Sequence, residues 1–220
     1  GDSSAYADVY NISPKEVAFY IQDKMEFDDM VINVGVRYDQ FDPESVYPSD
    51  RRNPANQLIL PDSMMSLYPQ APVISQISPR VGFAYQLGGQ AVLHFSYGHF
   101  FQMPPMYAMY QNNSFLVDPN NFVTRMGNTL LEPEKTITYE IGLWQELNQV
   151  MALDVALFYR DIYNLLTTKT ISTYNQVKYG LYSNKDYGNV RGLELKLDLA
   201  LGQLKGMVNY TLQYTRGNAD

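Results

Sequence analysis

Two histidines and a spaced set of charged side chains are the residues whose types could do chemistry. His94 and His99 lie five positions apart, which in an extended chain puts them on opposite faces. A metal site needs convergent donors, and no third ligand is spaced to join either imidazole. The 220 residues include no cysteine, so thiolate ligation and disulfides are excluded. His94 and Ser96 share one face, as a general base and a hydroxyl nucleophile would. No Asp or Asn can be assigned to orient that imidazole. The sequence therefore predicts no catalytic group, no cofactor and no metal.

The charges are more informative as a set. Arg37, Asp39, Asp154, Arg160, Glu194, Lys196 and Asp198 each fall next to a residue of the apolar face and out of step with it, so they share the polar side of the segments that carry them. They could be wall residues hydrogen-bonded across strands, or contacts for a passing ligand or an inserted domain. The stretch "FFQMPPMYAMYQNNSFLVDPNNFVTRMGN" is a second candidate, with Tyr107, Tyr110, Asn112, Asn113 and Arg125. Aromatics with amides suit stacking and hydrogen bonding to a sugar, peptide or chelate, and the same composition lets a long loop fold onto itself. Both uses are open. The formal net charge of -7 argues against a nucleic-acid partner, which calls for clustered Lys and Arg.

The elements that must position these residues are strands. Apolar residues recur at every second position around 17–21, 32–38, 81–87, 93–97, 137–143, 153–159, 193–199 and 208–214. The eight strands that carry these runs are expected to be about ten residues each, long enough to cross a bilayer at a tilt. Tight turns are expected at Asp28-Asp29, Gly88-Gly89-Gln90, Asn148-Gln149 and Gly202-Gln203. Long loops are expected at about 42–78, 102–135 and 164–188. Short turns on one rim and long loops on the other are the layout of an outer-membrane barrel. Tyr38, Tyr97, Tyr139, Tyr159 and Tyr214 lie on the apolar face toward the long-loop ends, where an interfacial girdle belongs. Phe27 and Tyr85 are candidates for the opposite girdle. Trp144 falls on the polar face. Asp23 falls on the apolar one, a costly place in mid-membrane unless a bulge or register change moves it. No apolar run approaches the length of a membrane helix.

Several segments, in order, resemble the barrel domain of TonB-dependent outer-membrane receptors: "AFYIQDKMEF", "INVGVRYDQFDP", "ISPRVGFAYQL", "FSYGHFFQMPP", "LEPEKTITYEIGL" and "DYGNVRGLELKL". The likeness is closest to receptor-like proteins with an N-terminal carboxypeptidase-regulatory-like domain. The resemblance implies an all-β, antiparallel transmembrane barrel of 22 strands, plugged by a globular domain and driven by the TonB complex to take up bulky nutrients or chelates. On that basis residues 1–220 are about eight strands of the wall, without the plug or the closing C-terminal strand. The expected partners are outer-membrane lipid, the plug, the remaining strands, TonB through the parent protein, and an unknown small ligand. A non-transporting barrel of the same membrane class, such as an adhesin or assembly platform, and a small closed eight-stranded barrel are the alternatives.

Overall fold

The computed structural model describes residues 10–118 and 124–217, so the first nine residues, part of the 102–135 loop and the last three residues lie outside the described residues. Four strands open the chain: β1 (Lys15–Glu26), β2 (Met30–Asp42), β3 (Ile74–Leu87) and β4 (Ala91–Gln102). A short helix α1 (Met106–Tyr110) and a two-residue strand β5 (Arg125–Met126) follow. The wall then resumes with β6 (Glu134–Asn148), β7 (Met151–Ser172), β8 (Lys178–Leu201) and β9 (Leu204–Gly217). The eight long strands form one antiparallel sheet in chain order, with β5 attached parallel to the far end of β8. Among the described residues the sheet does not close: β1 and β9 are its edges.

Directly opposed residues in a ladder share a face, so register carries each row across the wall. One row runs Phe95, Ile141, Leu157, Leu193 and Leu212. The row above it runs Tyr97, Tyr139, Tyr159, Arg191 and Tyr214. Among the described residues no segment covers this face: Phe19 is 65 % exposed, Ile21 71 % and Leu157 55 %. The opposite, charged face is covered in part by the chain's own loops, with Phe41 buried against Ala108, Met109 and Tyr110. A soluble sheet covers its apolar face and bares its polar one. The inverse arrangement here suits hydrocarbon outside and an aqueous interior.

The four tight turns are present, at residues 27–29, 88–90, 149–150 and 202–203. Gly88, Gly89 and Gly202 supply the positive φ that the reversals require. The girdle tyrosines stand seven to eleven residues from these turns, about 25 Å along tilted strands, which matches the height of an apolar band.

Three expectations change. The long loop expected at 164–188 is instead a tall hairpin: β7 and β8 continue in register to Ser172↔Lys178 around a turn at residues 173–177. Thr167, Thr168 and Thr170 favour strand but are not apolar, so a ribbon standing clear of lipid shows no apolar alternation. β3 also begins earlier than expected, at Ile74, and includes Pro79. Its ladder to β4 starts only at Arg80, so the proline lies where the strand is paired on one side. Asp23 is not displaced by a bulge: β1 and β2 pair without interruption and Asp23 opposes Val34 on the apolar face. It lies four residues from its turn, against three for Tyr85, so it sits about 10 Å above the turn rim rather than in mid-membrane.

Candidate functional site: inner wall and loop cap

The two long loops and the β7–β8 hairpin fold together over the charged face. One cluster joins Phe41 of β2, Ala108–Tyr110 of α1, Leu131 and Tyr182 of β8. A second joins Phe115, Val117 and Met126 to Tyr179 and Leu181 of β8. Polar side chains clasp the segments. Asn128 donates to the Tyr182 carbonyl (2.9 Å) and accepts from Arg51 Nη2 (2.9 Å). Asn184 donates to the Glu132 and Asn164 carbonyls (2.8 and 2.9 Å) and accepts from the Glu132 amide (2.8 Å). Gly127 allows the closest approach: a Cβ there would lie 2.6 Å from the Met109 carbonyl oxygen and 2.7 Å from the Gln111 amide nitrogen. The loops therefore form a packed cap.

Two cap phenols are held neutral beyond the ordinary tyrosine range. Burial first, then the Asp42 carboxylate, pushes Tyr110 up to about 12, and its hydroxyl donates to the Pro43 carbonyl (3.0 Å). Burial likewise raises Tyr179 to about 12, and its hydroxyl donates to the Arg51 carbonyl (2.7 Å). An unfolded tyrosine ionises near ~10, so this contribution to cap stability is full below about pH 10 and is lost as pH rises from about 10 toward 12. Alkaline titration of the full-length protein, followed by tyrosinate absorbance and loop proteolysis, is expected to open the cap in that window. Replacing both residues by phenylalanine should blunt the transition. Opening that starts well below pH 10 and is unchanged by the substitutions would contradict this assignment.

Below the cap, the inner face carries charge paired with aromatic rings. Arg37 Nε donates to both oxygens of the largely buried Asp39 carboxylate (2.8 and 3.0 Å). Arg80 lies over the Phe100 ring (4.7 Å) and Arg160 over Phe158 (4.9 Å), arrangements that hold a guanidinium without neutralising it. Phe158 in turn lies over Gly192, where a Cβ would come within 2.6 Å of its ring. Tyr20, Arg37, Arg80, Phe100, Glu140 and Arg160 line an open groove of about 850 Å³ on this face.

The seven charged residues singled out from sequence all have inner-face parity in the observed register. Arg37, Asp39 and Arg160 lie in the upper wall. Nearer the turns, Lys196 pairs with Asp198 (2.9 Å) and opposes Asp154, whose Oδ1 is buried without a hydrogen-bond partner among the described residues. Glu194 is exposed between Ala156 and Thr211. Arg80 and Glu140 obey the same parity, and Arg80 with the ring partners Phe100 and Phe158 extends the set beyond the residues read from sequence.

The loop candidates separate. Tyr107 is half exposed and stands edge-on to Tyr182 (5.8 Å). Arg125 is exposed beside Gly180. Tyr110 is buried in the cap, so its role there is packing. Asn112 holds a turn, donating to the Leu116 carbonyl (2.7 Å) with Asn113 half-buried beside it. His94 and His99 lie on opposite faces: His94 covers Gly142 on the inner side, and His99 meets the Tyr97 hydroxyl (2.6 Å) on the outer one.

A sheet bare on its apolar side, girdled by tyrosine, turned tightly at one rim and capped by loops at the other defines a segment of an outer-membrane β-barrel wall. The family model for "TonB dependent receptor-like, beta-barrel" matches residues 2–220, and the chain belongs to that family. No curated protein matches it in sequence. Among solved structures it is similar to the hemophore receptor HasR of Serratia marcescens, solved with its hemophore HasA and heme. That match has 18 % identity, a TM-score of 0.67, and covers 91 % of this chain and 34 % of HasR. It is similar to the FrpB iron transporter of Neisseria meningitidis, with 16 % identity, a TM-score of 0.61, and coverage of 94 % and 27 %. The pyoverdine receptor FpvA of Pseudomonas aeruginosa, bound to pyoverdine, matches with 17 % identity, a TM-score of 0.60, and coverage of 94 % and 26 %. The chain thus spans about a quarter to a third of these proteins, and the likeness shows a shared fold.

Proposed function

We propose that the chain is part of a TonB-dependent transporter that takes up a bulky, scarce nutrient or chelate across the outer membrane. The carrying observation is the inner face: charged groups and aromatic rings line a groove under a cap built from all three long connections on that rim. Tyr107 and Arg125 are the exposed cap residues best placed to meet a ligand at the mouth. Arg37, Arg80, Arg160 and Glu140 are placed to meet it, or the plug, below. The similar proteins are named as an iron transporter, a hemophore receptor solved with its hemophore and heme, and a pyoverdine receptor, and a bulky metal chelate is the ligand class this reading favours. In this proposal residues 1–220 are a partial barrel domain. The parent supplies the plug, the remaining strands and the N-terminal carboxypeptidase-regulatory-like domain that the sequence resemblance implies.

The test is uptake by the host with ferric siderophores, heme and free ferric citrate as separate iron sources. Deleting the parent gene, or TonB, is expected to abolish uptake of one chelate while leaving the others or their TonB-independent background unchanged. Uptake of every source that survives loss of the parent gene would leave the adhesin or platform alternative standing.

A further inference from the structure

Strands β3 and β4 separate near the top of the wall. Above the Arg80↔Gly98 pair β3 stays laddered to β2 and β4 to β6, but β3 and β4 no longer pair with each other. A hollow of about 410 Å³ opens there on the inner face, edged by Met103, which packs against the cap. Ser78 lines it, only 1 % exposed, and its Oγ has no hydrogen-bond partner among the described residues. A hydroxyl buried and unpaired costs free energy until something bonds to it. Arg80, two residues along the same face of β3, also lines the hollow. Its guanidinium lies over the Phe100 ring and has no hydrogen-bond or ion-pair partner among the described residues. Arg37 opposes Ser78 and stands diagonal to Arg80, with Cβ atoms about 7 Å apart, but its charge is already met by Asp39. Glu16, the other acid on the hollow, opposes Phe41, six positions along β2 from Gly35, which opposes Arg80. That is about 20 Å of strand, and Glu16 makes no ion pair with Arg80 among the described residues. One free cation therefore faces one unpaired hydroxyl.

A single guanidinium fork beside a hydroxyl donor complements a planar group with two oxygens and one negative charge. We propose that Arg80 and Ser78 bind a carboxylate of the transported ligand, the guanidinium donating to both oxygens and the Ser78 hydroxyl to one of them. A ligand carboxylate here rests on the uptake role proposed above, and narrows the ligand from a bulky chelate to one that carries a free carboxylate. Arg37 and Arg80 line both this hollow and the larger groove, so the rest of the ligand has room beside it. A phosphate brings about two charges on one group, and Arg37, held by Asp39, is not free to meet the second.

The full-length receptor in detergent is treated with phenylglyoxal, which modifies arginine side chains, and the rate at each arginine is read by peptide mass spectrometry. Citrate, whose charge is spread one unit to each carboxylate, is the probe, and inorganic phosphate the comparison. Arg80, exposed and unpaired, is expected to react in the free receptor. Saturating citrate is expected to slow it at least about tenfold and phosphate less than about twofold, with the exposed Arg52 unchanged. Ser78→Ala removes a hydroxyl that bonds nothing in the free protein. Its unfolding midpoint is therefore expected to match the wild type, while citrate protection of Arg80 falls at least about threefold. A lowered midpoint, or undiminished protection, would overturn the part given to Ser78. An Arg80 that does not react in the free receptor, or reacts equally with and without citrate, would overturn the site. Protection by phosphate as strong as by citrate would overturn the choice of a carboxylate. Protection is read without transport, so its failure leaves chelate uptake standing, and uptake that survives loss of the parent gene leaves the citrate result standing.

Discussion

Replacing Leu195 by lysine is expected to destabilise the full-length protein by about 2–4 kcal/mol, the cost of a cation near mid-bilayer on the lipid face of a barrel. Leu195 opposes Val155 and Tyr210 on the outer face, seven residues above its turn, too deep for an ammonium to reach water easily. Its neighbour Lys196 points the other way, pairs with Asp198 at 2.9 Å, and both side chains are more than a third exposed. An ion pair so open to water contributes about 0–1 kcal/mol, so Lys196→Leu is expected to cost no more than that. Denaturant unfolding of the parent protein in lipid vesicles measures both changes. The two residues are adjacent, so strand propensity and depth are nearly matched, and facing is the variable that differs. Equal costs would mean that β8 is not a wall strand with lipid on one side.

The wall was legible because a membrane strand must solve one problem at every second residue. "RGLELKLDLAL" states its two faces outright, and the observed register keeps Leu193, Leu195, Leu197 and Leu199 together. The same rule failed where lipid ends. Residues 164–172 and 178–187 pair as regularly as the wall, yet "NLLTTKTIS" and "KYGLYSNKDY" show no apolar alternation because neither face needs hydrocarbon there. Asn164, with φ of 60°, marks the change. Asp23 misled for a related reason: parity gives the face of a residue, whereas its depth is fixed by distance to the turn. The inner charges were readable as a set from parity. Their partners were not, because Arg80 over Phe100 and Arg160 over Phe158 depend on side-chain direction within one face. The cap was least readable. Tyr110 and Tyr107 are three residues apart in one helical turn, yet one is buried and the other half exposed, a difference set by contacts with Phe41, Leu131 and Tyr182 far away in sequence.

Leu131→Ala is expected to loosen that cap by about 2–5 kcal/mol, the usual range for truncating a fully buried leucine. Leu131 has 0 % exposure and joins α1 to Phe41 of β2 and Tyr182 of β8, so its removal leaves a void where three chain segments meet. The wall is held by its own continuous ladders, which do not pass through Leu131. The loss is therefore expected to be local, because a protein opens by its least stable cooperative unit. Hydrogen exchange followed by mass spectrometry on the full-length receptor is expected to show at least about tenfold faster exchange for peptides covering residues 106–112, whose Ala108 and Gln111 amides bond within the cap. Peptides covering 139–143 in β6 are expected to be unchanged. Uniform acceleration of both would mean that cap and wall unfold as one body. A cap that opens separately from its barrel can admit a bulky ligand without straining the wall. Because Tyr107 is seated on Tyr182, itself a member of the Leu131 cluster, the proposed uptake role carries the further expectation that this substitution weakens ligand binding at the mouth. The inner groove lined by Arg37, Arg80 and Arg160 would keep its geometry.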